Sequence, residues 1–96
     1  MEHNEGHRKD DQGKIRFDLV PTSAMTGLAE VLTFGANKYS PNGWRHVKHA
    51  EERYYSALVR HLIAWKDGDE NDSESGLNHL KHAMTNVAFL LELTTK

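Results

Sequence analysis

Residues 75–93 read SGLNHLKHAMTNVAFLLEL. Leu77, Leu80, Met84, Val87 and Leu91 recur at helical spacing along one face, and His79, His82, Asn86 and Leu90 along another. The spacing predicts a helix over 75–93. From Ala83 onward it is apolar nearly all round, and such a helix needs cover on several sides. Two short partner helices supply too little of it, so part of the surface is expected to be a subunit interface.

Upstream, Tyr54, Ala57, Leu58, His61, Leu62 and Trp65 give a second helix over 50–66, with His61 inside its apolar face. Met25, Leu28, Ala29, Leu32 and Ala36 give a first helix over 24–38, capped after Pro21 by Thr22 or Ser23. Gly27 and Gly35 weaken it; they either admit a close neighbour or are simply tolerated. Ser40-Pro41-Asn42-Gly43 is a turn. Residues 14–19 (KIRFDL) alternate apolar and polar and read as extended or a short strand. Residues 1–12 hold no large apolar side chain beyond Met1 and are expected to be a flexible arm, leaving 13–96 as one helical domain.

Residues 67–74 (DGDENDSE) partly imitate a calcium loop. The match fails where Asp72 replaces the turn glycine and Asn78 the bidentate glutamate. The reading kept is a solvated connection, with Asp72 or Ser73 capping the third helix and Glu74 in its first turn.

Ninety-six residues make a single domain with a small core, which gains from oligomerising. A net charge of −2 argues against nucleic acid as a partner. The absence of cysteine excludes disulfides and thiolate metal sites. No apolar run reaches the roughly 20 residues of a membrane span, and the first residues lack a signal-peptide core. The expected location is the cytoplasm, with no membrane partner.

His61, His79 and His82 are candidate metal ligands, since imidazole suits zinc, manganese or iron. Asp72 or Glu74 could add a carboxylate. The bland alternative is three histidines hydrogen-bonded in the core or an interface. Arg16, Lys38, Arg45, Arg53 and Arg60 are candidate phosphate contacts, because guanidinium grips phosphate oxygens in pairs. Arg60 adjoins the apolar face; its alternative is an ion pair with Asp72, Glu74 or Asp18. Trp44, Tyr54, Tyr55 and Trp65 could stack on a base or be core, and core is the expectation for Trp65. The chain has no phosphate-cradling glycine loop, dinucleotide fingerprint or serine-nucleophile motif.

Several blocks together resemble a known family. They are Lys14-x-Arg16-Phe17-Asp18-Leu19 with Pro21, and Phe34-Gly35-Ala36-x-Lys38-Tyr39 with Trp44. Arg53-Tyr54, Ala57, Arg60-His61-Leu62 and Trp65 follow, then Gly68, Asp72, Glu74-Ser75-Gly76-Leu77, His79-Leu80, His82 and Asn86. Their order is similar to the phage-associated dATP/dGTP diphosphohydrolase N-terminal domain family, over residues 13–93. The resemblance implies an all-α bundle of three to four helices, related to MazG-like nucleoside triphosphate pyrophosphohydrolases and completed by dimerisation or tetramerisation. It implies hydrolysis of a purine (deoxy)nucleoside triphosphate to monophosphate and pyrophosphate in a phage-infected bacterial cytoplasm, with Mg2+ or Mn2+.

One departure stands out. Those enzymes typically hold magnesium with Glu-Glu-x-x-Glu and Glu-x-x-Asp on facing helices. Here Arg60-His61 and His79-x-x-His82 stand at those places, and Glu51 and Glu52 come too early. Three readings follow. In an enzyme, Asp72, Glu74, His79 and His82 hold the metal, His61 and Glu74 are catalytic, and Lys38, Arg53, Arg60, His79, His82 and Asn86 bind nucleotide. In a sequestering protein, a cationic pocket of Arg53, Arg60, His61, His79 and His82 holds a signalling nucleotide of host defence intact, without a metal. In a structural domain, the polar cluster only fixes helix register.

Overall fold

The computed structural model describes residues 12–95; residues 1–11 of the expected arm lie outside them. Three α-helices carry the described residues: α1 (Thr22–Lys38), α2 (Ala50–Lys66) and α3 (His79–Thr94). Short 3-10 turns occupy Phe17–Leu19 and Gly43–His46. The all-α class is as expected, with no strand among the described residues beyond an isolated bridge between Asn71 and Asn78.

The extended reading of residues 14–19 is corrected. Alternation makes a strand only where a second strand can take up its backbone groups, and none lies nearby. Instead Leu19 N donates to Arg16 O and Val20 N to Phe17 O. Arg16 clasps Asp18 through two nitrogens at 2.9 and 2.8 Å, which ties this carboxylate locally and lowers its pKa. Asp18 is therefore not a partner of Arg60.

Helix α1 begins two residues earlier than expected and uses no side-chain cap. Pro21 precedes it, and its carbonyl accepts from Ala24 N and Met25 N. Gly27 is the glycine that admits a neighbour: a Cβ there would come within 2.9 Å of the Lys81 side chain from α3. That chain continues to Glu30 Oε1 at 2.7 Å. A Cβ at Gly35 would meet nothing within 4 Å, and the residue lines the cleft described below.

Helix α2 has the expected limits, with Glu51 and Glu52 in its first turn, where carboxylates favour the helix dipole. Helix α3 starts at His79, four residues later than the spacing predicted. Asn78 is its cap, accepting from Leu80 N at 2.7 Å. Asp72 caps a turn instead: its Oδ2 accepts from Ser75 N and Ser75 Oγ. Gly76, at φ +75°, then reverses the chain in a conformation glycine adopts without strain. Asp72 N to Leu77 O and His79 N to Glu70 O fasten this loop onto the start of α3.

Helix α3 is the centre, packed by α2 and by α1. The buried set among the described residues is small and half polar: Gly27, Val31, Ala83, His79, Thr85 and Asn86. Thr85 Oγ1 donates to Lys81 O and Asn86 Nδ2 to His82 O, so both groups are satisfied within their own helix. Much apolar surface stays outside, including Leu62, Ile63 and Trp65 on α2 and Val87 and Leu91 on α3. Trp65, expected in the core, is 44% exposed in the single chain. No helix among the described residues is long and apolar enough to cross a membrane.

Candidate functional site

Positions 79, 82, 86 and 89 follow helical spacing, so α3 turns one stripe of side chains towards α2. His61 on α2 meets that stripe. Its Nδ1 lies 2.8 Å from His79 Nδ1, and its ring stacks on His82 with centroids 4.6 Å apart and planes 10° apart. The loop before α3 closes the other side. His79 Nε2 lies 3.2 Å from Asp69 Oδ2. His82 Nε2 lies 2.6 Å from Ser75 Oγ, which is 3.0 Å from Asp72 Oδ2.

For neutral rings, one proton arrangement, assigned from the network, satisfies every contact. His79 donates through Nε2 to the Asp69 carboxylate, which leaves Nδ1 as an acceptor for His61 Nδ1–H. His82 donates through Nε2 to Ser75 Oγ, which also accepts from Leu77 N and passes its own proton to Asp72.

Burial, then the neighbouring His82 and His79, pushes the His61 pKa down from 6.5 to about 4, against the pull of Asp72. Burial also lowers His82, with Asp72 opposing. Burial would raise Asp72, but the Ser75 amide and hydroxyl outweigh it and hold the carboxyl below its ordinary value. His61 is thus a neutral lone-pair donor at pH 7.

This sets an acid limit. Between pH 6.5 and about 4 the unfolded chain binds a proton on His61 that the folded chain refuses, so stability falls as pH falls. Allowing for solvent screening at a half-buried ring, the loss is roughly 1–2 kcal/mol across that window. Urea unfolding at stepped pH, in the presence of a chelator, measures it. A flat profile from neutral pH down to the lower limit would contradict the buried neutral imidazole.

Beside the cluster, α1, the Trp44 turn, α2 and α3 enclose a cleft of about 1380 Å³. Arg53, Arg60, Lys38, Glu74, His82 and Asn86 all line it. Arg53 and Arg60 are exposed and form no ion pair among the described residues. The alternative of a paired Arg60 is therefore not what forms. Lys38 is bonded to Glu74, which raises the lysine pKa.

Trp44 is a wall of this cleft, not a free stacking platform. Phe89 stacks on its ring at 4.4 Å and the Arg45 guanidinium lies 4.3 Å from its centroid, so both already contact the indole. Tyr54 donates to Trp44 O at 2.7 Å and tilts against Phe89. Tyr55 and Trp65 are outside the lining, exposed on α2.

Among the described residues, the side chains placed to share one ion are His61, Asp72 and His79, whose ligand atoms lie within 4.8 Å of one another. Of the expected ligands, Glu74 is committed to Lys38 and His82 to Ser75. Magnesium does not fit what remains. It asks for oxygen ligands in near-octahedral array, and this group offers two imidazoles and one carboxylate. Asp69, expected only within the imitation calcium loop, and Ser75, expected to open the third helix, were not expected in this cluster. Both lie in a loop, where no periodicity marks which side chains turn inward.

These features define a class: an all-helical domain with an imidazole cluster between its two main helices and an arginine-lined cleft alongside. The family described as dATP/dGTP diphosphohydrolase, N-terminal, matches residues 4–96, and the chain belongs to that family. The dATP/dGTP diphosphohydrolase of Salmonella phage PMBT28 is 33% identical over 85 residues, 88% of this chain. The chain spans 29% of the length of that relative. No solved structure matches.

Proposed function

We propose that the chain binds a purine (deoxy)nucleoside triphosphate in this cleft and takes part in its hydrolysis to monophosphate and pyrophosphate. The observation that carries the reading is the pair of guanidinium groups, Arg53 and Arg60, which form no ion pair among the described residues and line the same cleft as His82 of the imidazole cluster. Membership of a family named for dATP/dGTP diphosphohydrolases supports it.

Each residue has a task in this scheme. Arg53 and Arg60 hold phosphate oxygens through paired, charge-assisted hydrogen bonds. A phosphate arriving at Lys38 displaces Glu74. The freed carboxylate takes the proton of a water that attacks the α-phosphorus as pyrophosphate leaves. His61, His79 and His82 form the polar wall against which that water is held, and Asn86 presents its amide to the bound nucleotide. The exposed apolar side chains of α2 and α3 pack against a second copy, giving the dimer or tetramer. Light scattering of the purified chain measures that assembly.

The test is incubation with dATP, dGTP and their ribo-counterparts, with Mg2+, Mn2+ or Co2+ supplied in turn, and chromatographic separation of products. Monophosphate and pyrophosphate in equal amounts are expected. Stoichiometric nucleotide recovered intact after denaturation would sink hydrolysis and leave the sequestering reading, which the missing carboxylate cage favours. Neither binding nor turnover would leave a structural helical domain.

A further inference from the structure

We propose that His61, His79 and Asp72 form a binding site for a divalent transition metal of the zinc, manganese and iron class, in preference to magnesium. The inference deepens the hydrolytic reading and rests on it only for the use made of the ion, since the ligand geometry stands by itself.

The central observation is the pair of imidazole Nδ1 atoms 2.8 Å apart. Two such nitrogens, each about 2.1 Å from one ion, stand roughly 3.0–3.4 Å apart. A slight opening lets an ion replace the proton they share. His61 then carries its proton on Nε2 instead of Nδ1, and no ring has to ionise.

The surroundings are those of a metal site. A ligating histidine ordinarily gives its other ring N–H to a carboxylate or carbonyl, which fixes the tautomer and sharpens the lone pair. His79 Nε2 faces Asp69 Oδ2 at 3.2 Å in that manner. Asp72 is similarly prepared: Ser75 occupies its Oδ2 through backbone and hydroxyl, while its Oδ1 accepts no hydrogen bond among the described residues. His82, stacked on His61 and held by Ser75, fixes the plane of the third ligand.

Donor chemistry selects the ion. Two imidazole nitrogens with one carboxylate suit zinc, iron or manganese, whereas magnesium retains oxygen ligands. Three protein ligands leave the remaining positions to solvent or a phosphate oxygen, the open arrangement of a reactive site and not the closed one of a structural site. Glu74 stays outside the set, bonded to Lys38 at the cleft.

The experiment is direct metal binding by the full chain after chelator treatment. Titration with Co2+ is expected to give visible absorption bands at one ion per chain, bleached by one equivalent of Zn2+. Millimolar Mg2+ is expected to leave them unchanged. His79→Gln and Asp72→Asn should abolish the bands, and Asp67→Asn, an exposed acid of the same loop, should keep them. Circular dichroism establishes that each variant is folded. Where a variant does not fold, the Zn2+ against Mg2+ competition on the unaltered chain decides.

Absence of stoichiometric Co2+ bands, displacement by Mg2+, or bands surviving in both folded site variants would each overturn the proposal. Nucleotide turnover by a chain that binds no Co2+ overturns the metal site alone. Co2+ bound without turnover under any metal overturns hydrolysis alone.

Discussion

Replacing Arg53 and Arg60 together by alanine is expected to weaken nucleoside triphosphate binding by about 100- to 10,000-fold, with little change in stability. Hydrogen bonds to charged groups contribute about 1.5–3 kcal/mol each, and every 1.4 kcal/mol is about tenfold in affinity. Neither guanidinium has a carboxylate partner among the described residues and both are exposed, so the folded chain loses no ion pair with them. Seven residues of helix separate them, about 10.5 Å along the axis, a span that lets one hold the terminal phosphate oxygens and the other those of the α-phosphate. At that separation the two single effects should add. Arg60→Lys keeps the charge but not the planar fork, so it should recover only part of the loss. Isothermal titration with a non-hydrolysable dATP or dGTP analogue measures all four variants. A loss below threefold in the double variant would remove these arginines from the phosphate site.

The same helix shows what the sequence made legible. The limits of α2 and the inward direction of His61 follow from spacing alone, because a helix converts spacing into a face. His79, His82 and Asn86 were legible for that reason too. The start of α3 was not. Leu77 continues the apolar period, but Asp72 offers the chain a competing local solution by accepting from Ser75, and such turns win where glycine permits the reversal. Asp69 and Ser75, which complete the imidazole cluster, belong to that non-periodic loop. Trp65 marks a further limit: periodicity assigns it to an apolar face but does not say whether the face is covered within the chain. The two imidazoles were visible as a departure from a carboxylate cage. That His61 meets His79 at Nδ1, while His82 turns to Ser75, depended on loop geometry that no spacing encodes.

Phe89→Ala should be the most damaging single change to stability, costing about 3 kcal/mol. Truncating a buried phenylalanine costs about 3–5 kcal/mol, and the lower end applies because Phe89 is only partly buried. Among the described residues, Phe89 is the side chain that both stacks on Trp44 and meets Tyr54, and Tyr54 in turn donates to the Trp44 carbonyl. Its loss leaves the Gly43–His46 turn held to α3 by the half-exposed Arg45–Glu92 ion pair at 3.4 Å, which is weak, and so loosens the cleft wall carrying Arg45. For a domain of this size the melting temperature should fall by roughly 12–20 °C at fixed protein concentration, a large share of the roughly 5–15 kcal/mol that holds such a domain folded. Phe89→Leu fills most of the space without a ring to stack and should cost about half as much. Urea unfolding followed by circular dichroism gives the free energy, and tryptophan emission reports whether Trp44 has lost its stack. A loss under 1 kcal/mol with unchanged emission would mean that the Trp44 turn is held by something other than this aromatic cluster. The Arg45–Glu92 ion pair at 3.4 Å would then be the contact that holds this cleft wall.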